Sequence, residues 1–128
     1  GWVTPENHLA VKSAVKTYGE VVSPILSSVI QSSDNTGLFR EEARVDRWIF
    51  STDGVGYCVP VEDYGFSLPA GKSWVTSGSY HHPAMIGFGP GLEQNTHKLG
   101  ECVDARELAP AIAFLARFPS RYRKMLES

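Results

Sequence analysis

Apolar positions follow different rhythms along the chain, and each rhythm predicts a different element. In "TPENHLAVKSAVKTYGEVV", Val11, Ala14 or Val15, Tyr18 and Val22 recur at the three- and four-residue steps that gather side chains on one helix face. Thr4 can cap the first turn with its hydroxyl, and Pro5 at the first helical position gives up an N–H with no intrahelical partner. The pattern predicts a helix from about Thr4 to Val22, with Gly19 and Pro24 as weak points, and a short second piece in "PILSSVIQ". The polar stretch "SSDNTGLFREEA" reads as a loop. "RVDRWIF" then brings Val45, Trp48, Ile49 and Phe50 together in a run too short for a helix and rich in strand formers, so a buried strand is expected.

From Tyr57 to Pro83 prolines, glycines and aromatics interrupt any period, and irregular structure is expected, with a short strand at "SWVTS". "PAMIGFG" predicts a second buried strand. "DARELAPAIAFLARFPSRYRKML" closes the chain as a helix: Asp104 with Glu107 fits a capping box, and Leu108, Ala111 or Ile112, Leu115 and Phe118 form the expected buried face. Pro110 falls in the first turns. Pro119 is expected to split off a last basic turn whose Arg121, Arg123 and Lys124 suit a helix carboxyl end.

The order is helix, strand, irregular excursion, strand, helix. It predicts one α/β domain over 1–128, with 57–83 as the excursion and helices covering a small mixed or parallel sheet. In such sheets ligands gather at the carboxyl ends of strands. Two stretches hold those places, Ser51–Gly54 and Gly87–His97.

Composition narrows the function classes. Apolar residues make up 42% and charged residues 20%, ordinary for a globular chain. A net charge of −2 offers no electrostatic footprint for nucleic acid or an anionic membrane. No apolar run approaches the ~18 residues of a transmembrane helix. No signal-peptide pattern opens the chain, and Gly1 in place of methionine suggests a cut or tag-derived start. Cys58 and Cys102, without CxxC spacing, read as reduced thiols of a cytoplasmic protein.

Candidate chemistry centres on "GFGPGLEQNTHKLGEC". Gly87, Gly89 and Gly91 allow a close backbone approach or positive φ angles, and a plain turn would use them the same way. "GFGPGL" is neither a dinucleotide fingerprint nor a P-loop. His97 could ligate a metal, but zinc takes three or four ligands. The other donors, His8, His81, His82, Cys58, Cys102 and Asp53, form no HxH, HExxH or CxxC pattern. His81 and His82, adjacent on an extended chain, point to opposite faces. Ser51 beside Asp53 invites a serine-hydrolase reading, but no G-x-S-x-G elbow surrounds it. Glu41 and Glu42 read as solvated charges ahead of a strand.

Taken together, "WVTPENHLAVKSAVKTY", "GLFREEARVDRWIFSTDGVG", "MIGFGPG" and "THKLGECVDARELAPAIAFLARFP" resemble, in order, the carboxyl-terminal part of the catalytic domain of the dizinc amidohydrolases and exopeptidases. That family includes succinyl-diaminopimelate desuccinylase, acetylornithine deacetylase, aminoacylase and zinc carboxypeptidases, and the nearest branch is the selenium-metabolism-linked hydrolases. "GFGPG" followed by "HKLGE" resembles the family's G-P-G … H-x-x-N-E, with Gly100 where asparagine is usual. The excursion from Val59 to Pro83 is longer than in typical members.

The resemblance implies a zinc-exopeptidase-like fold and roles for named residues. His97 matches a ligand to one of two zinc ions; Ser51, Thr52, Asp53 and Gly54 match the segment lining the substrate pocket. Gly89, Pro90 and Gly91 match the loop that approaches substrate, and Glu101 matches the acid after the ligand, in a structural role. The implied reaction is hydrolysis of a small amide or peptide by a zinc-activated water, with a glutamate base. The first histidine, the bridging aspartate and that glutamate come from the family's amino-terminal half. There is no H-x-D in this chain. The family also inserts a dimerisation domain between its catalytic halves, and this chain begins about where that insertion ends. The resemblance therefore implies a fragment, inactive alone, whose partners are the amino-terminal half and the inserted domain. The alternative is a non-catalytic α/β domain that binds a ligand or partner through its 57–83 loop.

Overall fold

Strand β2 (Trp74–Ser77) opens on Trp74 and the β-branched Val75, strand β3 (Tyr80–Pro83) opens on Tyr80, and the two meet across Gly78 and Ser79. Gly78 has φ +57°, the left-handed conformation a two-residue hairpin loop demands and glycine adopts without strain. The hairpin is antiparallel, with Trp74 opposite Pro83 and Ser77 opposite Tyr80; the short strand β1 (Val59–Pro60) adds to the far side of β3, giving the order β1–β3–β2. The computed structural model describes residues 2–29, 42–47, 56–62, 74–91 and 96–128. They divide into two compact units, one of Gly1–Lys12 with Val45–Gly87, the other of Ser13–Arg44 with Phe88–Ser128.

Among the described residues the sheet is antiparallel throughout and lies inside the 57–83 stretch, where the sequence predicts mainly irregular structure; only the strand expected at "SWVTS" is where it was expected. The expected strand over "PAMIGFG" stops at Pro83. The reason is visible at Met85. Its N–H donates to the Thr4 hydroxyl at 3.0 Å, and that hydroxyl donates to the Met85 carbonyl at 2.7 Å, so one side chain takes both groups a ladder would have used. Residues 45–47 of the other expected strand are not in a ladder, and 48–50 lie outside the described residues.

His82 is the buried centre of the first unit, with no exposed surface. Its Nδ1 lies 2.7 Å from the Pro83 carbonyl, which can only accept, so that nitrogen carries the proton. Nε2 lies 2.8 Å from the Ser77 hydroxyl, and the Trp2 ring sits 5.9 Å away, centroid to centroid. Ser77 also ties down the N-terminal segment, accepting from the Val3 N–H at 3.0 Å. Because Thr4 is held by Met85, it does not open the first helix. That helix, α1 (Leu9–Thr17), starts later, and His8 Nδ1 accepts from the Ala10 N–H at 3.1 Å.

Most of the described residues of the second unit are helical. The weak points at Gly19 and Pro24 take the form of a change of pitch: α1 runs into a π turn (Tyr18–Val22) and then into the expected second piece, α2 (Ser23–Val29). The Ser23 N–H reaches back five residues to the Tyr18 carbonyl, a wide turn placed just ahead of Pro24, whose missing N–H could not continue the α pattern. The expected stripe holds at Val11, Tyr18 and Val22, with Ala14 packed inward and Val15 exposed.

A 3-10 turn (Ala105–Glu107) leads into α3 (Leu108–Glu127). Asp104 caps this start, accepting from the Arg106 N–H at 2.9 Å. Contrary to expectation, the helix runs unbroken through Pro119, which is exposed. Phe114, Phe118 and Tyr122 stack one turn apart, at 5.5 and 5.8 Å, and carry the helix across the proline. They also decide which face is buried. The core is Tyr18, Val22, Leu26 and Phe114, with Phe88 stacked on Phe114 at 3.8 Å. Leu108, Ile112 and Leu115, expected inside, are exposed, whereas Ala111 and Phe118 pack inward as expected. Large aromatic rings bury more area than aliphatic chains, so the Phe114–Phe118 face takes the interior. No helix among the described residues is long and apolar enough to cross a membrane.

Candidate functional site

Gly89, Pro90, Gly91 and His97 belong to the second unit, where two carboxylates hold the loop. The first is Glu107. It is 1% exposed, and its Oε2 accepts the Gly91 N–H at 2.6 Å. Gly91 has φ +106°, a conformation for glycine alone; a Cβ there would meet Val103 only at 3.7 Å, so the backbone angle, not space, excludes a side chain. Gly89 and Pro90 just before it are exposed.

The second carboxylate is Glu101. Its Oε2 accepts the His97 backbone N–H at 3.1 Å, and its own N–H donates to the Lys98 carbonyl at 3.2 Å. The two bonds close a tight turn over 97–101. In that turn His97 takes φ +55°, the only non-glycine among the described residues with a positive φ. Left-handed backbone costs a residue with a Cβ about 1–2 kcal/mol, and such strain collects where a side chain must be aimed. The imidazole is exposed. Gly100 closes the turn at φ +74°. Beside it, the Arg106 side chain, and then its N–H, hold the Asp104 carboxyl down at about 2.

The site residues expected from the sequence fall into two groups. His97, Glu101, Gly89, Pro90 and Gly91 lie in one loop system of one unit. Ser51, Thr52, Asp53 and Gly54 lie outside the described residues. Of the other donors, His81 pairs with Thr76 at 2.9 Å and His82 with Ser77, on alternate faces of β3. Cys58 and Cys102 form no disulfide. Among the described residues no three of His, Cys, Asp and Glu come together to hold a metal. One imidazole is not a zinc site, so the residues gathered here do not by themselves fit a pair of zinc ions.

Sequence reasoning gave Glu107 a capping role and missed its hold on Gly91. The spacing that signals a cap, Asp104 to Glu107, is equally that of a residue turned inward at a helix start. The Ser77–His82 pair was also missed, because it depends on the hairpin register. No family model matches this chain, and no curated protein or solved structure does either.

Proposed function

We propose that this chain is the carboxyl-terminal part of the catalytic domain of a zinc-dependent amidohydrolase or exopeptidase. In this reading it supplies His97 as one metal ligand and does not catalyse alone. The other ligands and the base come from an amino-terminal half with a dimerisation domain inserted between the two. The substrate is a small amide or peptide. Ser51, Thr52, Asp53 and Gly54 line its pocket, and Gly89, Pro90 and Gly91 approach it. A cytoplasmic setting follows, in keeping with two cysteines that form no disulfide.

One observation carries the reading: Glu101 clamps the backbone of a left-handed, exposed His97. A ligand needs its imidazole aimed outward from a rigid loop, with its backbone fixed by a neighbour that does not compete for the metal. Glu101 supplies that hold. Gly100 adds support. At φ +74° it occupies the conformation that glycine and asparagine tolerate best, so glycine in place of the family's asparagine leaves the turn intact. In this reading the chain's own residues position one donor and shape one wall of a pocket. The test is zinc binding by the chain and by His97→Ala, alone and joined to an amino-terminal half. A site that needs both halves and His97 supports the reading.

A specific observation favours the alternative, a binding domain using 57–83. An open cavity of about 360 Å³ lies against the hairpin, lined by Pro60, Val61, Glu62, Gly78, Ser79 and Tyr80. A ligand whose binding is lost in Tyr80→Ala and kept in His97→Ala would favour that domain over the hydrolase.

A further inference from the structure

His82 is wholly buried, and the hydrolase reading gives it no task. Its hydrogen bonds, followed proton by proton, fix the charge it carries. Ser77 Oγ has three partners: the Val3 N–H at 3.0 Å, the Val3 carbonyl at 3.0 Å and His82 Nε2 at 2.8 Å. A hydroxyl brings one proton and two lone pairs. The Val3 N–H only donates, so it takes one lone pair. The Val3 carbonyl only accepts, so it takes the proton. Nε2 is left facing the second lone pair, a place only a donor can fill. Nδ1 lies 2.7 Å from the Pro83 carbonyl, which also only accepts. With every bond made, both ring nitrogens carry protons and His82 is an imidazolium. A buried charge needs partners, and the Pro83 carbonyl and the Ser77 oxygen meet this one.

Neutral His82 cannot close the same set. Nδ1 keeps its proton for Pro83 and Nε2 becomes an acceptor. The Ser77 proton then serves Nε2 or the Val3 carbonyl, not both. The buried ring nitrogen takes it, because Val3 is 45% exposed and its carbonyl has water to turn to. Val3 keeps one bond of its two. Trp2 acts in the same direction. Its ring centroid is 5.9 Å from that of the imidazole, within the ~6 Å at which an aromatic ring attracts a cation. Both residues that sense the charge belong to the segment ahead of α1.

Other ionisable groups surround the pair. Tyr80 shares the face of β3 with His82, and His81 lies on the opposite face with Thr76. Cys58 precedes β1, Glu62 follows it, and Glu6 and His8 come after Thr4. Among the described residues none of these hydrogen-bonds or ion-pairs with His82. The charge on its ring is therefore answered by Ser77, Pro83 and Trp2.

We infer that residues 2–4 form a proton-controlled strap, held to the hairpin by charged His82 and loosened when His82 is neutral. Docking of Val3 takes up a proton, so the strap weakens as the pH rises. This is independent of the hydrolase reading, since it uses neither His97 nor its loop, and either can fail alone.

NMR of the full chain from pH ~5 to ~8, either side of the ordinary histidine range near ~6.5, tests it. Ring 15N shifts report which His82 nitrogens carry protons. The protection factor of the Val3 amide, corrected for the intrinsic exchange rate at each pH, reports the strap. Both nitrogens should be protonated at the acid end. As Nε2 loses its proton, Val3 protection should fall about 2–10-fold, the loss of one hydrogen bond. His82→Gln, which keeps an amide donor for Ser77 and never charges, should hold Val3 protection level across the range. His81→Asn should leave the fall in place. Val3 protection that stays level while Nε2 changes overturns the inference. So does an Nε2 that keeps one protonation state throughout, or a fall that persists in His82→Gln. If His82→Gln does not fold, the parent chain decides, because its ring shifts and its Val3 protection must then change at the same pH.

Discussion

Removing the Glu107 carboxylate should unfasten the glycine loop from the helix that follows it. Glu107 is 1% exposed and holds the Gly91 N–H at 2.6 Å. Leaving a buried donor without its acceptor costs about 1–3 kcal/mol, and Glu107→Ala also leaves a space in the packing. The combined loss should be about 3 kcal/mol. With a urea m-value of about 2 kcal/mol/M, the midpoint should fall by about 1.5 M. Glu107→Gln keeps the shape and one acceptor oxygen but replaces the other oxygen with an amide donor, so about 1 kcal/mol and about 0.5 M are expected. Ellipticity at 222 nm follows the transition, because most of the described residues of the second unit are helical. Amide exchange at Gly91 should accelerate in step. A Glu107→Ala midpoint within about 0.2 M of the parent would mean that the buried bond contributes nothing to the fold.

Three further outcomes follow from the same geometry. Gly100→Ala should destabilise by about 1 kcal/mol, because φ is +74° there, and Gly100→Asn by clearly less; thermal melts of the two variants side by side check this. Ser77→Ala removes the hydroxyl from buried His82 Nε2 and from Val3, and should lower the midpoint seen by tryptophan fluorescence by an amount equivalent to about 1–3 kcal/mol. The Asp104 carboxyl is held down to about 2 by Arg106, so its contribution is fully present above the ordinary aspartate range of ~3.9. It is lost as the pH falls through about 2, and Asp104→Asn should flatten the stability profile in that window.

The helices were legible because their signal is local. A stripe at Val11, Tyr18 and Val22 and a cap at Asp104 need no distant partner. Even so, α3 carries two apolar faces, and the sequence alone favoured Leu108, Ile112 and Leu115 over the ring stack that is buried. Only the partners Tyr18 and Phe88 decide between them. The sheet was not legible for a related reason. "PAMIGFG" has the apolar run of a strand, but Thr4, far away in the chain, takes the backbone groups of Met85. At the site, the loop glycines and His97 were visible as unusual residue choices. Glu101 was legible as an acid with a structural role and Glu107 as half of a capping box, but their hold on the His97 and Gly91 N–H groups was not, because no spacing reveals it.

Zinc stoichiometry by calorimetry in a non-chelating buffer bears most directly on the proposed role of His97. The account predicts no tight site in this chain or in His97→Ala. Joined to the amino-terminal half, it predicts two zinc ions per assembled domain, with one weakened by His97→Ala. One tightly held zinc in this chain alone, lost in His97→Ala, would contradict it, because the chain would then be completing a site of its own.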